Sequence, residues 1–397
     1  MNKNFYIKNR QALLDKTGAR LVIIAGNRQI QSSNDAAYYF QQEANFWYLT
    51  GIDAADWWLI LQQDKSYLVA PDVDEVHEVF DGSLSHGEVK NISGIDEIIS
   101  SKEGEIFLAD LLATHPIVYT IGDDPHKDHY DFSLNPGPVA IHEKLQRLFT
   151  NVIDCRKDLA QLRAIKQPQE ITAIRAAIDL TIDAFEDFKN HLEEYTHEYQ
   201  VEAGFSHFFR YSGATGHAYD PIVASGAHAC TLHYGKNNDR LDSNDMILLD
   251  IGARYHGYAA DITRTYSLSV PSDRQRAVHN AVETAHKKII KLLGPGVSVK
   301  QYMSDVDGIM RHALETLGLL QSESDYRKYF PHSISHGLGL DVHDSLGSPT
   351  TFQEGMVLTV EPGIYIPEES IGVRIEDDIL ITASGYENLS AKLPTSL

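Results

Sequence analysis

Four carboxylates interrupt strands that are otherwise apolar, and this pattern narrows the fold more than any other feature of the chain. The first pair lies in Met246-Ile-Leu-Leu-Asp250-Ile-Gly252 and Ala259-Ala-Asp261-Ile-Thr-Arg-Thr265. The polar, glycine-containing stretch Arg254–Tyr258 between them marks a hairpin. A turn centred between Tyr255 and His256 predicts Asp250 directly opposite Asp261, with Cβ atoms about 5 Å apart. The second pair lies in Met356-Val-Leu-Thr-Val-Glu361-Pro-Gly-Ile-Tyr-Ile366 and Gly372-Val-Arg-Ile-Glu376-Asp-Asp-Ile-Leu-Ile381, joined by Pro367-Glu-Glu-Ser370. A turn centred between Glu368 and Glu369 predicts Glu361 opposite Glu376. A buried charge without a partner costs several kcal/mol, and facing carboxylates repel each other. A polyvalent cation between them reverses the sign. One acidic interruption can point to solvent. Four of them in two matching hairpins point to one shared cation cluster.

Histidine supplies the remaining chemistry. The segment Pro331-His332-Ser-Ile-Ser-His336-Gly-Leu-Gly-Leu-Asp-Val-His343-Asp344 concentrates three of the 19 histidines. His332 and His336 have helical spacing, but Gly337 and Gly339 argue against a helix, and the His-Glu-x-x-His pattern of zincins is absent. Gly337-Leu-Gly339 lacks the third glycine of a dinucleotide loop. Oxygen-rich ligation with one imidazole and no thiolate suits manganese or cobalt better than a structural zinc.

Composition removes several other classes. With 56 acidic against 34 basic residues the formal charge is −22, which repels phosphate backbones and anionic lipid, so neither nucleic acid nor a membrane surface is an expected partner. The cysteines, Cys155 and Cys230, build no disulfide framework and fit a reducing compartment. Met1–Arg10 shows no apolar signal core, and no run approaches the length of a membrane span, so a cytoplasmic location is expected.

Periodicity divides the chain in two. Residues 1–155 alternate short apolar runs with polar helical stretches. Leu21–Ala25, Trp57–Leu61 and Tyr67–Ala70 read as strands and Val139–Phe149 as a helix, the pattern of a small α/β domain. The texture changes across Asn151–Lys166, and Pro168 suits the first turn of a helix. From there Ile171, Ile174, Ile178, Ile182, Phe185, Phe188 and Leu192 step by three or four along one helical face. A second helix is predicted over Tyr199–Tyr211, followed by strands to Thr265. The pattern then restarts. Ser272 and Gln275 form a capping box ahead of Val278, Val282, Ala285 and Ile289, on a helix predicted to stop at Gly294-Pro-Gly296. Another helix is predicted over Val299–Leu317, and strands at Ile334, Met356–Tyr365 and Gly372–Thr382. Two helices and then strands, twice over, predict a duplicated α+β domain spanning 156–397.

Taken together, Leu249-Asp250-Ile-Gly, Ala260-Asp261-Ile-Thr-Arg-Thr, Ser335-His336-Gly-Leu-Gly-Leu-Asp-Val-His343-Asp, Glu361-Pro-Gly-Ile-Tyr365 and Arg374-Ile-Glu376-Asp resemble, in order and spacing, the pita-bread metallopeptidases of the aminopeptidase P and prolidase family. Leu162-Arg-Ala-Ile-Lys-Gln-Pro-Gln-Glu-Ile171 is similar to the start of that family's catalytic domain, and Ser33–Gly51 to part of its N-terminal domain. The resemblance implies an α+β chain in which a pita-bread catalytic domain follows a smaller α/β domain. It also implies two divalent metal ions, manganese first with cobalt or zinc as alternatives, held by Asp250, Asp261, His336, Glu361 and Glu376. Asp261 and Glu376 would bridge the ions, Asp250 completing one site and His336 with Glu361 the other. His233 and His343 match histidines that act on the substrate, and His332 one that lines the pocket. Arg374 and Tyr365 match residues adjoining the metals.

The implied reaction is hydrolysis of the bond between an N-terminal residue and a following proline by a hydroxide bridging the two metals. Glu361 would shuttle the proton, and His233 or His343 would steady the oxyanion. The implied assembly is a homodimer or homotetramer in which the N-terminal domain of one subunit helps close a neighbour's site. Trp47, Trp57 and Trp58 are candidates for that role, while the buried core is the more expected place for each. The metal-free creatinase branch and the non-catalytic relatives of this fold lack the carboxylate cluster. Methionine aminopeptidases share the ligand set, but the N-terminal domain and His332 favour proline specificity. Related prolidases carry an arginine between the two motifs that enclose Asp344–Val360, where this chain has no arginine or lysine. An aminopeptidase is therefore expected rather than a dipeptidase, unless Lys236, Arg240 or a cation of the N-terminal domain supplies a carboxylate clamp.

Overall fold

The computed structural model describes residues 1–122, 127 and 131–397. The chain separates into two compact units, Met1–Arg163 and Ala164–Leu397.

The first unit is built on a six-stranded mixed sheet ordered Glu97–Ser100, Ser66–Ala70, Trp58–Gln62, Leu21–Ala25, Ile117–Thr120 and Asn151–Asp154. The three central strands pair antiparallel, and the outer ones pair parallel to their neighbours. Leu21, Ile23, Ile60 and Val69 pack against Leu108, Leu111, Leu145 and Phe149 from helices Ser101–Thr114 and Pro136–Leu148, and from the residue after the latter. Trp58 belongs to this core and Trp57 is also buried, whereas Trp47 is half-buried.

The second unit repeats two helices and then strands. Helix Pro168–His191 begins with proline at its first position and buries Ile174, Ile178, Ile182, Phe185 and Phe188. It packs against Glu198–Tyr211. In the second half, the Ser272–Gln275 capping box opens helix Asp273–Ile290, which packs against Val299–Thr316 through Val278, Val282 and Ile289 on one side and Tyr302, Val306 and Met310 on the other. That helix ends four residues before Gly294, with Leu292 and Leu293 bonding back to Ile289 and Ile290 in tight terminal turns. Among the described residues no helix is long and apolar enough to cross a membrane.

The hairpins differ from expectation in an instructive way. In the first, His256 and Gly257 have φ of 50° and 86° and close a two-residue loop, pairing Tyr255 with Tyr258. Two positive φ values are the mark of the mirror-image turn that matches strand twist. The turn therefore sits one residue later than its predicted centre, and Asp250 pairs with Thr263 rather than Asp261. A shift of two leaves every side chain on its original face, so the convergence of the aspartates survives the correction.

In the second hairpin the predicted register holds. Gly363 pairs with Arg374 on one side and Val360 with Asp377 on the other, which leaves Glu361 facing Glu376. The predicted continuous strands are nonetheless broken there, into Val357–Val360 and Gly363–Ile366, and into Ile371–Arg374 and Asp377–Thr382. Pro362 has no N–H for a ladder, the Glu361 N–H donates to Ile334 O, and the Glu376 N–H donates across the repeat to Thr263 O. Ile334 itself starts no strand. Its segment lies beside Val357–Val360 through Leu338 N–H to Val357 O and Thr359 N–H to His336 O. Gly337 and Gly339 allow the tight fold-back, since a Cβ there would stand 2.3 Å and 2.1 Å from atoms of Asp344.

Candidate metal centre

Both strand breaks and the glycine segment deliver donors to one point. Asp250, Asp261 and Glu376 form one group whose ligand atoms all lie within 4.8 Å of one another, and His336, Glu361 and Glu376 form a second. A third group joins Asp261 and His336 to His343. Glu376, Asp261 and His336 are each shared between two groups. His336 Nε2 stands 3.4 Å from Asp261 and 3.5 Å from Glu361. Its Nδ1 lies 3.0 Å from Gly337 O, which leaves Nε2 to face the carboxylates.

Asp250, Asp261 and Glu376 are buried, and the electrostatics show the strain of gathering them. Burial, with the neighbouring carboxylates adding to it, holds Glu376 well above the ordinary carboxylate range and raises Asp261. Burial pushes Glu361 up to about 7. Burial alone would lower His336, but Asp261 and Glu361 outweigh it and raise the imidazole to about 9. Such a cluster of buried carboxylates and one imidazole suits a hard divalent cation, which relieves the repulsion.

A polar frame aims the donors. Arg374 donates to Asp250 Oδ2, to Tyr365 OH at 2.8 Å and to Thr263 Oγ1 at 3.1 Å. His332 Nε2 lies 2.9 Å from Tyr365 OH, and its Nδ1 3.5 Å from Glu361. His343 stacks edge-on against His336 at 4.3 Å between ring centroids. Partial burial beside the cluster, with the charges of His336 and His233, lowers its pKa to about 4, which favours the neutral imidazole. His233 is not in any of the three donor groups. It lines a groove of about 630 Å³ together with Lys236 and Asp239.

Four further residues join the frame without having been anticipated. Tyr219 OH donates to Asp250 Oδ1 at 2.5 Å, Thr263 OH to Glu376 at 2.6 Å and Thr359 OH to Glu361 at 3.2 Å, while Asp378 accepts the Asp261 N–H at 3.2 Å. Thr263, Thr359 and Asp378 lie within the strand segments quoted above. Tyr219 is 31 residues from Asp250 and carries no local signal.

Comparison with known proteins places this geometry among peptidases. The family model described as metallopeptidase family M24 matches residues 172–383, and that of the aminopeptidase P N-terminal domain matches residues 6–119. The chain is 33% identical over 390 residues to the Xaa-Pro aminopeptidase of Haemophilus influenzae, covering 92% of this chain and 88% of that one. It is similar to the solved structure of E. coli aminopeptidase P with the inhibitor Pro-Leu, at TM-score 0.86 and 30% identity over 100% of this chain and 96% of that one. A zinc-substituted E. coli aminopeptidase P in complex with product is similar at TM-score 0.85, 30% identity and the same coverage.

Proposed function

The chain belongs to metallopeptidase family M24, with an aminopeptidase P N-terminal domain before the catalytic one, and we propose that it removes the first residue from peptides whose second residue is proline. It is a hydrolase that uses divalent metal ions. In this reading the domains are 1–155 and 156–397, the ions are manganese, and the ligands are Asp250, Asp261, His336, Glu361 and Glu376. The observation that carries it is the convergence of Asp250, Asp261, His336, Glu361 and Glu376 in overlapping donor groups, in which the shared carboxylates Glu376 and Asp261 each have a second oxygen to offer a neighbouring cation.

Two divalent ions held by Asp250, Asp261, His336, Glu361 and Glu376 would supply an activated water and Lewis acidity toward the scissile carbonyl. Glu361 accepts the water's proton and delivers it to the departing proline nitrogen, a role suited to a carboxylate already lifted toward neutrality. His343, edge-on to His336, and His233, near enough to act electrostatically on His343, would donate to the oxyanion. Arg374 pins Asp250 and orients Tyr365, which in turn holds His332 against the pocket. The scissile bond to proline is a tertiary amide without an N–H, so positioning of the substrate cannot rest on that donor and falls to the pocket.

Metal uptake at neutral pH is expected to release protons, because metal-free His336 and Glu361 hold theirs up to about 9 and about 7. Affinity then rises as pH climbs through that range. Titration calorimetry in buffers of different ionisation enthalpy measures both effects, and a pH-independent affinity without proton release would contradict the ligand assignment.

Substrate length follows from the cations near the site. Asp344–Val360 holds no arginine or lysine, so Ala-Pro-Ala is expected to be cleaved with higher kcat/KM than Ala-Pro. The dipeptidase reading has one observation in its favour, Lys236 in the groove beside His233. A strong preference for Ala-Pro in a manganese-supplemented assay would establish that alternative. A homodimer or homotetramer is also part of this proposal. Light scattering at micromolar concentration should report it, and a monomer alone would count against it. The free thiols of Cys155 and Cys230 support a cytoplasmic location.

A further inference from the structure

Behind the carboxylate cluster lies a buried guanidinium that the proposed reaction does not use. Arg264 is 1% exposed, and each of its five N–H groups has an acceptor. Nη1 donates to Thr263 O at 2.9 Å and to Glu376 O at 2.6 Å. Nη2 donates to Asp377 Oδ1 at 2.6 Å and to Leu393 O at 2.8 Å, and Nε to Pro394 O at 3.0 Å. Three of these acceptors are main-chain atoms at places where the sheet cannot supply a donor. Glu376 sits in the gap between strands Ile371–Arg374 and Asp377–Thr382, so its carbonyl has no ladder bond there. Leu393 and Pro394 lie beyond the last strand, Gly385–Asn388.

We propose that Arg264 is a positioning residue for Glu376, locking the strand gap that aims this carboxylate and recruiting the 393–394 segment as the far wall of the metal centre. The inference rests on the two-metal reading above. Glu376 is held at both ends: Thr263 OH donates to its side chain at 2.6 Å, and Arg264 holds its carbonyl. Asp377, next in the chain, is fixed in turn by Arg264 and by Asn388 Nδ2 at 2.6 Å, so the gap cannot slide toward either strand. Outer groups that orient ligands typically change metal affinity 10–100-fold when lost. A lysine can replace at most three of the five hydrogen bonds and none of the fork geometry.

The test is Arg264→Lys, read by metal titration and by thermal unfolding with and without saturating manganese. The expected result is a Kd weakened about 10–100-fold, a smaller metal-induced rise in Tm, and turnover recovered toward the parent value at high manganese. Parallel loss of Tm with and without metal, at unchanged Kd, would make Arg264 a merely structural residue and overturn the proposal. Should Arg264→Lys fail to fold, deletion of residues 393–397 removes two acceptors without altering the guanidinium. It is expected to weaken Kd and shrink the metal-induced rise in the same sense, and an unchanged Kd there overturns the proposal equally. A parent protein that binds no divalent ion would remove the metal-centre reading itself, an outcome separate from either variant result.

Discussion

The Asp261→Ala variant is expected to bind neither metal ion and to lose all measurable turnover. Asp261 is 5% exposed, belongs to two of the three donor groups, and stands 3.4 Å from the imidazole of His336. Without it the group with Asp250 and Glu376 keeps two carboxylates, and the group of His336, Glu361 and Glu376 loses the carboxylate 3.4 Å from its imidazole, so neither ion keeps the ligand set proposed for it. The stability change should have the opposite sign in the metal-free state. Burial, chiefly, raises the folded-state pKa of Asp261, so ionising it at neutral pH destabilises the fold, and that cost disappears with the carboxylate. Metal-free Asp261→Ala should therefore unfold at or above the temperature of the metal-free parent. Adding manganese should stabilise only the parent, by about 2.7 kcal/mol per ion at a hundredfold excess over Kd. A variant that still carries two equivalents of metal would refute the bridging role.

His343→Ala should behave differently, keeping both ions while losing about 10²–10³ in kcat, the usual cost of one oxyanion donor. Its imidazole is exposed, neutral and edge-on to His336, a geometry that offers an N–H toward the open side of the cluster. The competing possibility is visible in the same geometry, since His343 shares a donor group with Asp261 and His336. Metal content decides between them. Two equivalents with slow turnover identifies a residue acting on substrate, and a lost equivalent identifies a ligand. Turnover equal to that of the parent would leave it with neither role.

What could be read along the chain was whatever depends on local alternation. The second hairpin was legible because its four-residue loop Pro367–Ser370 carries the polar and proline signals of a turn, and its register holds along both flanking ladders. The first was read one residue off because a histidine at φ 50° gives no warning of a mirror-image turn, whereas an Asn-Gly pair would have. The strand breaks were missed for another reason. Glu361 and Glu376 interrupt their ladders to bond Ile334 and Thr263, partners that only the assembled second unit brings near.

The sequence by itself determined which residue types meet: alternation put four carboxylates on buried strand faces, and a two-residue slip could not move them off. Only the tertiary structure decided which carboxylates share a cation. Asp250 and Asp261 come from one half of the repeat and Glu361 and Glu376 from the other, and the group of Asp250, Asp261 and Glu376 forms only because the two hairpins pack together. The same holds for Tyr219 on Asp250, Arg374 on Asp250 and Arg264 on Glu376. Side-chain spacing along a strand is set by the backbone period and survives errors of register. Hydrogen bonds between distant segments require angstrom placement, which packing of the whole unit supplies and no local pattern encodes.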